Sequence, residues 1–134
     1  MSPPFETQSL PEQPDAVAPD GSNVRILLAL QGGSMAHFEL LPGGVSTAVA
    51  HRTVEEIWYI LGGAGEMWRK QGDLEEIVPL APGTSLTLPL GTAFQFRTTG
   101  SDRLTAVAIT MPPWPGDNEA YEVEGHWRST QKST

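Results

Sequence analysis

Gly44-Val-Ser-Thr-Ala-Val-Ala-His51, Glu55-Glu56-Ile-Trp-Tyr-Ile-Leu-Gly-Gly63 and Pro82-Gly83-Thr-Ser-Leu-Thr-Leu-Pro89-Leu-Gly91-Thr-Ala-Phe94 are the three stretches that decide how this chain is read. Each is a short apolar run closed by glycine or proline. Side chains alternate across a strand, so residues two apart share a face. Val45, Thr47, Val49 and His51 therefore fall on one face. Glu56, Trp58 and Ile60 share a face of the next strand, and Thr92, Phe94, Phe96 and Thr98 share another.

Outward from these stretches the same rhythm continues. Runs of strand character are expected at Val24–Leu30, Ser34–Leu41, Val45–His51, Glu56–Leu61, Ala64–Lys70, Leu74–Leu80, Ser85–Leu88, Ala93–Thr98 and Leu104–Met111. Short strands at this spacing, separated by turn residues, point to an all-β sandwich or closed barrel. No segment carries a capped helical period. Pro42-Gly43 and Pro82-Gly83 suit type II turns, in which proline sets φ and glycine takes the positive φ. Gly62-Gly63 suits a tight primed hairpin turn.

The 14 glycines and 12 prolines are spread between the runs rather than clustered, which suits a β fold with many turns. Residues 1–22 carry Pro3, Pro4, Pro11, Pro14 and Pro19 and read as a flexible Pro-rich arm; crossing to a partner subunit, anchored by Phe5 or Leu10, is the competing reading. Residues 23–112 form the barrel. Residues 113–134 form an extension in which Trp114, Tyr121 and Trp127 call for packing against it. Met111-Pro-Pro-Trp-Pro-Gly116 is a stiff segment suited to covering a barrel edge or mouth.

Charge and composition exclude several functions. With a net charge of −8 and scattered basic residues, the chain offers no face to a phosphate backbone or an anionic membrane, so neither nucleic acid nor membrane is expected as a partner. There is no cysteine, which removes disulfides, thiolate nucleophiles and zinc–thiolate sites and suits a cytoplasmic location. A basic region followed by an apolar one is missing from the N-terminus, so no signal peptide is expected. No apolar run approaches the roughly 20 residues of a membrane span. Phosphate loops with lysine, G-x-S-x-G elbows and H-E-x-x-H helices are likewise missing.

The order and spacing from Gly44 to Thr98 resemble the two motifs of the cupin superfamily, G-x5-H-x-H-x3/4-E-x6-G and G-x5-P-x-G-x2-H-x3-N. Glu56 and Gly63 match the end of the first motif, and Gly83, Pro89 and Gly91 match the second. His51 stands at the second histidine position. Val49 replaces the first histidine, Phe94 the third, and Thr98 the closing asparagine. The resemblance implies a double-stranded β-helix (jelly-roll) barrel around a pocket lined by Val49, His51, Glu56, Trp58, Ile60, Phe94 and Phe96. It also implies a depleted metal-ligand set in which His51 and Glu56 are the candidates for a weakly bound divalent metal, since firm sites use three protein ligands. His37, Glu39 and Gln95 are further candidates as a third ligand, with Gln95 expected on the opposite face.

Without a metal, His51 and Glu56 are candidates for a hydrogen-bonded pair, with a raised histidine pKa, able to orient a ligand or act as general acid and base. The expected function is binding of a small organic molecule in an aromatic-lined pocket. The alternative is a metal-dependent cupin enzyme of the sugar-phosphate isomerase, epimerase or dioxygenase type. A homodimer joined through the sheets is expected as well.

Overall fold

A computed structural model describes residues 2–131. Eleven strands follow one another: β1 (Ala16–Val17), β2 (Asn23–Leu30), β3 (Gly33–Leu40), β4 (Val49–His51), β5 (Glu55–Gly62), β6 (Gly65–Gln71), β7 (Leu74–Leu80), β8 (Ser85–Leu88), β9 (Ala93–Thr98), β10 (Leu104–Met111) and β11 (Ala120–Glu122). They form two antiparallel sheets, ordered β1-β2-β3-β10-β5-β8 and β11-β4-β9-β6-β7. The described residues contain no helix, and so none long and apolar enough to cross a membrane.

Alternation builds the core. On β5 every second residue (Glu56, Trp58, Ile60) is buried while Glu55, Ile57, Tyr59 and Leu61 are exposed. On β10 the same period buries Leu104, Ala106 and Ala108. Facing them from the second sheet are Met67, Phe94 and Phe96. Trp58 sits among these rings, 5.1 Å from Phe96 and 6.2 Å from Phe94 in edge contacts. Burying each large apolar side chain contributes about 1.5–3 kcal/mol.

The turns divide. Gly43 and Gly83 take φ of 78° and 94°, and hydrogen bonds close Leu41–Gly44 and Ala81–Thr84, as type II turns require. Gly62-Gly63 makes no hairpin. β5 belongs to one sheet and β6 to the other, so this turn is a corner that carries the chain between sheets. Gly63 has φ 82°, and a Cβ there would lie 2.3 Å from the Arg103 carbonyl oxygen.

Both ends of the chain take part in the barrel. Ala16–Val17 pair with β2, and Arg25 donates to the carbonyls of Pro11 and Glu12 at 2.7 and 2.8 Å. Asp20 and Ser22 are buried. At the other end Ala120–Glu122 pair with β4. Beyond them Gln95 holds the extension: its Oε1 accepts from the His126 and Trp127 amides, and its Nε2 donates to the Trp127 and Ser46 carbonyls. Met1 of the arm and residues 132–134 of the extension lie outside the described residues.

Candidate active site and ligand cavity

Between the sheets, under the two terminal segments, lies a cavity of about 410 Å³. β4 contributes Val49 and His51, β5 contributes Glu56 and Trp58, and β9 contributes Phe94. The pleat that the sequence implies turns all five inward, Glu56 and Trp58 from one sheet and Val49, His51 and Phe94 from the other, and β4 and β9 register Val49 directly against Phe94. Ile60 and Phe96, expected in the same lining, lie instead deeper in the core. They share the inward face but sit further along their strands, where the sheets close together.

The other walls come from segments with no motif. Ala18, Pro19 and Asp20 line the cavity from the N-terminal side, and Pro113, Trp114 and Asp117 from the C-terminal side. Phe38 of β3 stacks on Trp58 with ring centroids 5.1 Å apart. Phe94 and Trp114 both meet the His51 ring edge-on, at 5.3 and 5.2 Å. The aromatic lining is thus wider than alternation on the motif strands alone implies.

His51 and Glu56 do not form the expected pair. Among the described residues no hydrogen bond joins them. Glu56 Oε1 instead accepts the Trp58 indole N–H at 2.9 Å, two residues along the same face. Burial pushes the Glu56 carboxyl up to about 7, helped by the neighbouring charges of Asp20 and Glu119, although the Trp58 hydrogen bond opposes the shift. Burial lowers His51 to about 4, against the pull of Glu119. The expected rise in the histidine pKa is therefore reversed: desolvation of the imidazolium outweighs the carboxylate. His51 is neutral at pH 7, and its ring makes no hydrogen bond within the described residues.

Two carboxylates beside this site escaped the sequence reading. Asp20 is buried, and its Oδ1 accepts from the Ser22 amide and hydroxyl at 2.9 and 2.6 Å. Its pKa is raised because burial outweighs those bonds. Pro19-Asp20-Gly21, with Gly21 at φ 93°, carried the signal for this Asx turn. Glu119 accepts from the Thr53 and Val54 amides at 2.6 and 2.9 Å and from the Thr53 hydroxyl. Burial opposes its ionisation, but these bonds prevail and its pKa is lowered.

Of the remaining candidates, His37 and Glu39 lie on the outer face of β3, where Glu39 pairs with Arg103 at 2.9 Å and Arg25 at 3.6 Å. Gln95 faces outward beneath the C-terminal extension, as expected. None of the three reaches the cavity.

The sequence matches the family described as Cupin domain over residues 36–110, more than half of the chain. The chain therefore belongs to the cupin family. No curated protein matches it. Among solved structures it is similar to the Lactobacillus farciminis oxalate decarboxylase formate complex (18% identity, TM-score 0.68, covering 76% of this chain and 31% of that one). KdgF from Halomonas sp. is similar over 75% of this chain and 88% of its own (20% identity, TM-score 0.63). A conserved protein with a double-stranded β-helix domain from Klebsiella pneumoniae subsp. pneumoniae MGH 78578 aligns over 78% and 85% (15% identity, TM-score 0.64). This chain spans about a third of the oxalate decarboxylase. These likenesses show the double-stranded β-helix fold.

The side chains at the metal positions do not fit a cupin metal. Val49 and Phe94 place hydrocarbon where two imidazoles would be needed, and among the described residues no three His, Cys, Asp or Glu side chains gather where an ion could be held. His51 and Glu56 alone provide two donors.

Proposed function

We propose that this cupin binds a small organic molecule in the cavity between its sheets. One observation carries the reading: a neutral imidazole and a buried carboxyl, each with unspent hydrogen-bonding capacity, stand on the wall of an aromatic chamber of about 410 Å³. Mostly apolar cavities of this size with a few placed polar groups are ordinary ligand sites. Phe38, Trp58, Phe94 and Trp114 supply the apolar surface, while His51 and Glu56 orient the guest.

The alternative, a metal-dependent enzyme of the kind named among the similar structures, rests on His51 and Glu56 alone. Among the described residues neither Lys nor Arg lines the cavity to receive oxalate or a sugar phosphate.

Phenol, benzyl alcohol and indole are suitable neutral probes, titrated by calorimetry with the Trp58 and Trp114 indole N–H signals followed by NMR. Saturable binding that moves both signals is expected, and its loss in Ala18→Trp, which fills the chamber from the N-terminal segment. A flat titration with all three probes overturns the proposal. Metal analysis of purified protein tests the alternative: a stoichiometric transition metal that disappears in His51→Ala would put the enzyme reading first.

A homodimer belongs to the same proposal. Ile57, Tyr59 and Leu61 of β5 are exposed on the outer face of the larger sheet, beside Ile109 and Met35 in register, an apolar stripe of the kind that marks interfaces. Light scattering should give about twice 14.4 kDa; a monomer mass refutes it.

A further inference from the structure

Among the described residues three carboxyls line the cavity (Asp20, Glu56 and Asp117), while no Lys or Arg does. Asp20 is 5% exposed and Glu56 3%. Among the described residues each commits only one oxygen: Asp20 Oδ1 to Ser22 and Glu56 Oε1 to Trp58. Neither forms an ion pair within the described residues. The second oxygens of two buried carboxyls are thus left to the chamber and its contents.

An acidic cluster alone would mean little, but a separate observation points to a ligand. His51 is 7% exposed, lines the same chamber, and has no hydrogen-bond partner for either ring nitrogen among the described residues. Its ring nitrogens are not sealed in protein like the unpaired His37 Nδ1, so they open onto the space of the chamber. Aromatic rings complete the walls, with Phe38 stacked on Trp58 and Trp114 against His51. Ring faces attract cations, and the net charge of −8 draws them toward the protein.

Resting on the binding reading above, we infer that the cavity is built for an organic cation: a small apolar body carrying a protonated amine, its ammonium set between Asp20 and Glu56 and its body against Trp58, Phe94 and Trp114. The ammonium supplies the donors that both free carboxyl oxygens lack. Neutral His51 adds one further donor or acceptor without repelling the charge.

The arrangement carries a proton linkage. The groups whose charge bears on Glu56 are Asp20 and Glu119, both raising its pKa, with His51 and Asp117 in the same lining. An ammonium favours the ionised carboxylate, so the amine should drive a proton off Glu56 when it binds below neutral pH.

Benzylamine, benzyl alcohol and benzoate share one ring and carry charges of opposite sign or none at pH 7. Calorimetric titration should rank benzylamine about tenfold tighter than benzyl alcohol, with benzoate weakest. Asp20→Asn and Glu56→Gln should each pull the amine-to-alcohol ratio toward one. At pH 6, benzylamine binding measured in buffers of different ionisation enthalpy should release protons. Benzoate binding as tightly as benzylamine, or a ratio unmoved by both variants, overturns the cation assignment while the binding reading stands. Failure of all three compounds to bind overturns the binding reading and this inference with it.

Discussion

The Trp58 indole N–H donates to the Glu56 carboxylate at 2.9 Å across a single pleat of β5. Strand alternation alone places the two side chains on the same face. The consequence is chemical: the group at the family's glutamate position is held by an indole rather than by an ion, and its second oxygen makes no hydrogen bond among the described residues.

Removing that donor should change how Glu56 titrates. In Trp58→Phe the carboxylate loses the one hydrogen bond that opposes its raised pKa, so its midpoint should climb above the present value of about 7. NMR titration of the labelled carboxyl carbon measures this. An unchanged or lower midpoint would mean that the indole does not support the charge.

Glu56 also ties stability to pH. Its pKa is about 7 folded and about 4.5 unfolded, so between those values the folded state holds more protons and stability falls as pH rises. Relative to Glu56→Gln, the native protein should lose about 3 kcal/mol from pH 4.5 to 7 and change little above that. Denaturant midpoints across the pH range give the comparison.

His51 acts in the opposite sense. Folded near 4 and unfolded near 6.5, it leaves the unfolded state with more protons in that window, so stability rises with pH. Relative to His51→Asn, the native protein should gain about 3 kcal/mol between pH 4 and 6.5. The two slopes nearly cancel where they overlap, so each single variant should be more pH-sensitive there than the native chain.

Restoring the missing imidazoles should create a metal site. Val49 and Phe94 are register partners lining the same cavity as His51 and Glu56. Val49→His with Phe94→His should raise affinity for Ni²⁺ or Zn²⁺ by orders of magnitude, with Phe94→His alone giving part of the gain. Calorimetry with either ion decides it; no change counts against a shared hollow.

The C-terminal extension depends on one glycine. A Cβ at Gly125 would lie 2.6 Å from Gln95 Oε1 and 2.8 Å from the Ala48 Cβ. Gly125→Ala should dislodge the segment that Gln95 holds, exposing Trp127 and speeding proteolysis and amide exchange at His126 and Trp127. Protection equal to the native level would show that the segment is anchored elsewhere.

The barrel was legible because period-two burial and Gly-Pro punctuation are local signals, and most strand bounds agree to within a residue. Val45–His51 shortens to Val49–His51 because Ser46 turns its hydroxyl to the Phe96 amide and Val45 makes only an isolated bridge with Arg97. Side-chain facing at Val49, His51, Glu56, Trp58 and Phe94 followed from the pleat. Asp20 and Glu119 did not, because they stand in Pro- and Gly-rich segments without periodicity, and tertiary contacts alone bring them to the site; for Trp114 the sequence called for packing against the barrel within a stiff covering segment, but not for its contact with His51. The His51–Glu56 pairing misled because two residues facing one hollow need not touch, and each found a different neighbour.

Ala18, Pro19, Trp114 and Asp117 all lie outside residues 36–110, so the stretch that marks the family encloses only part of the chamber. Evolution can therefore retune what such a protein accepts by editing its loose flanks, leaving the shared scaffold untouched. Comparing cupins by their motifs alone then groups vessels by their frame while ignoring the panels that decide what fits inside.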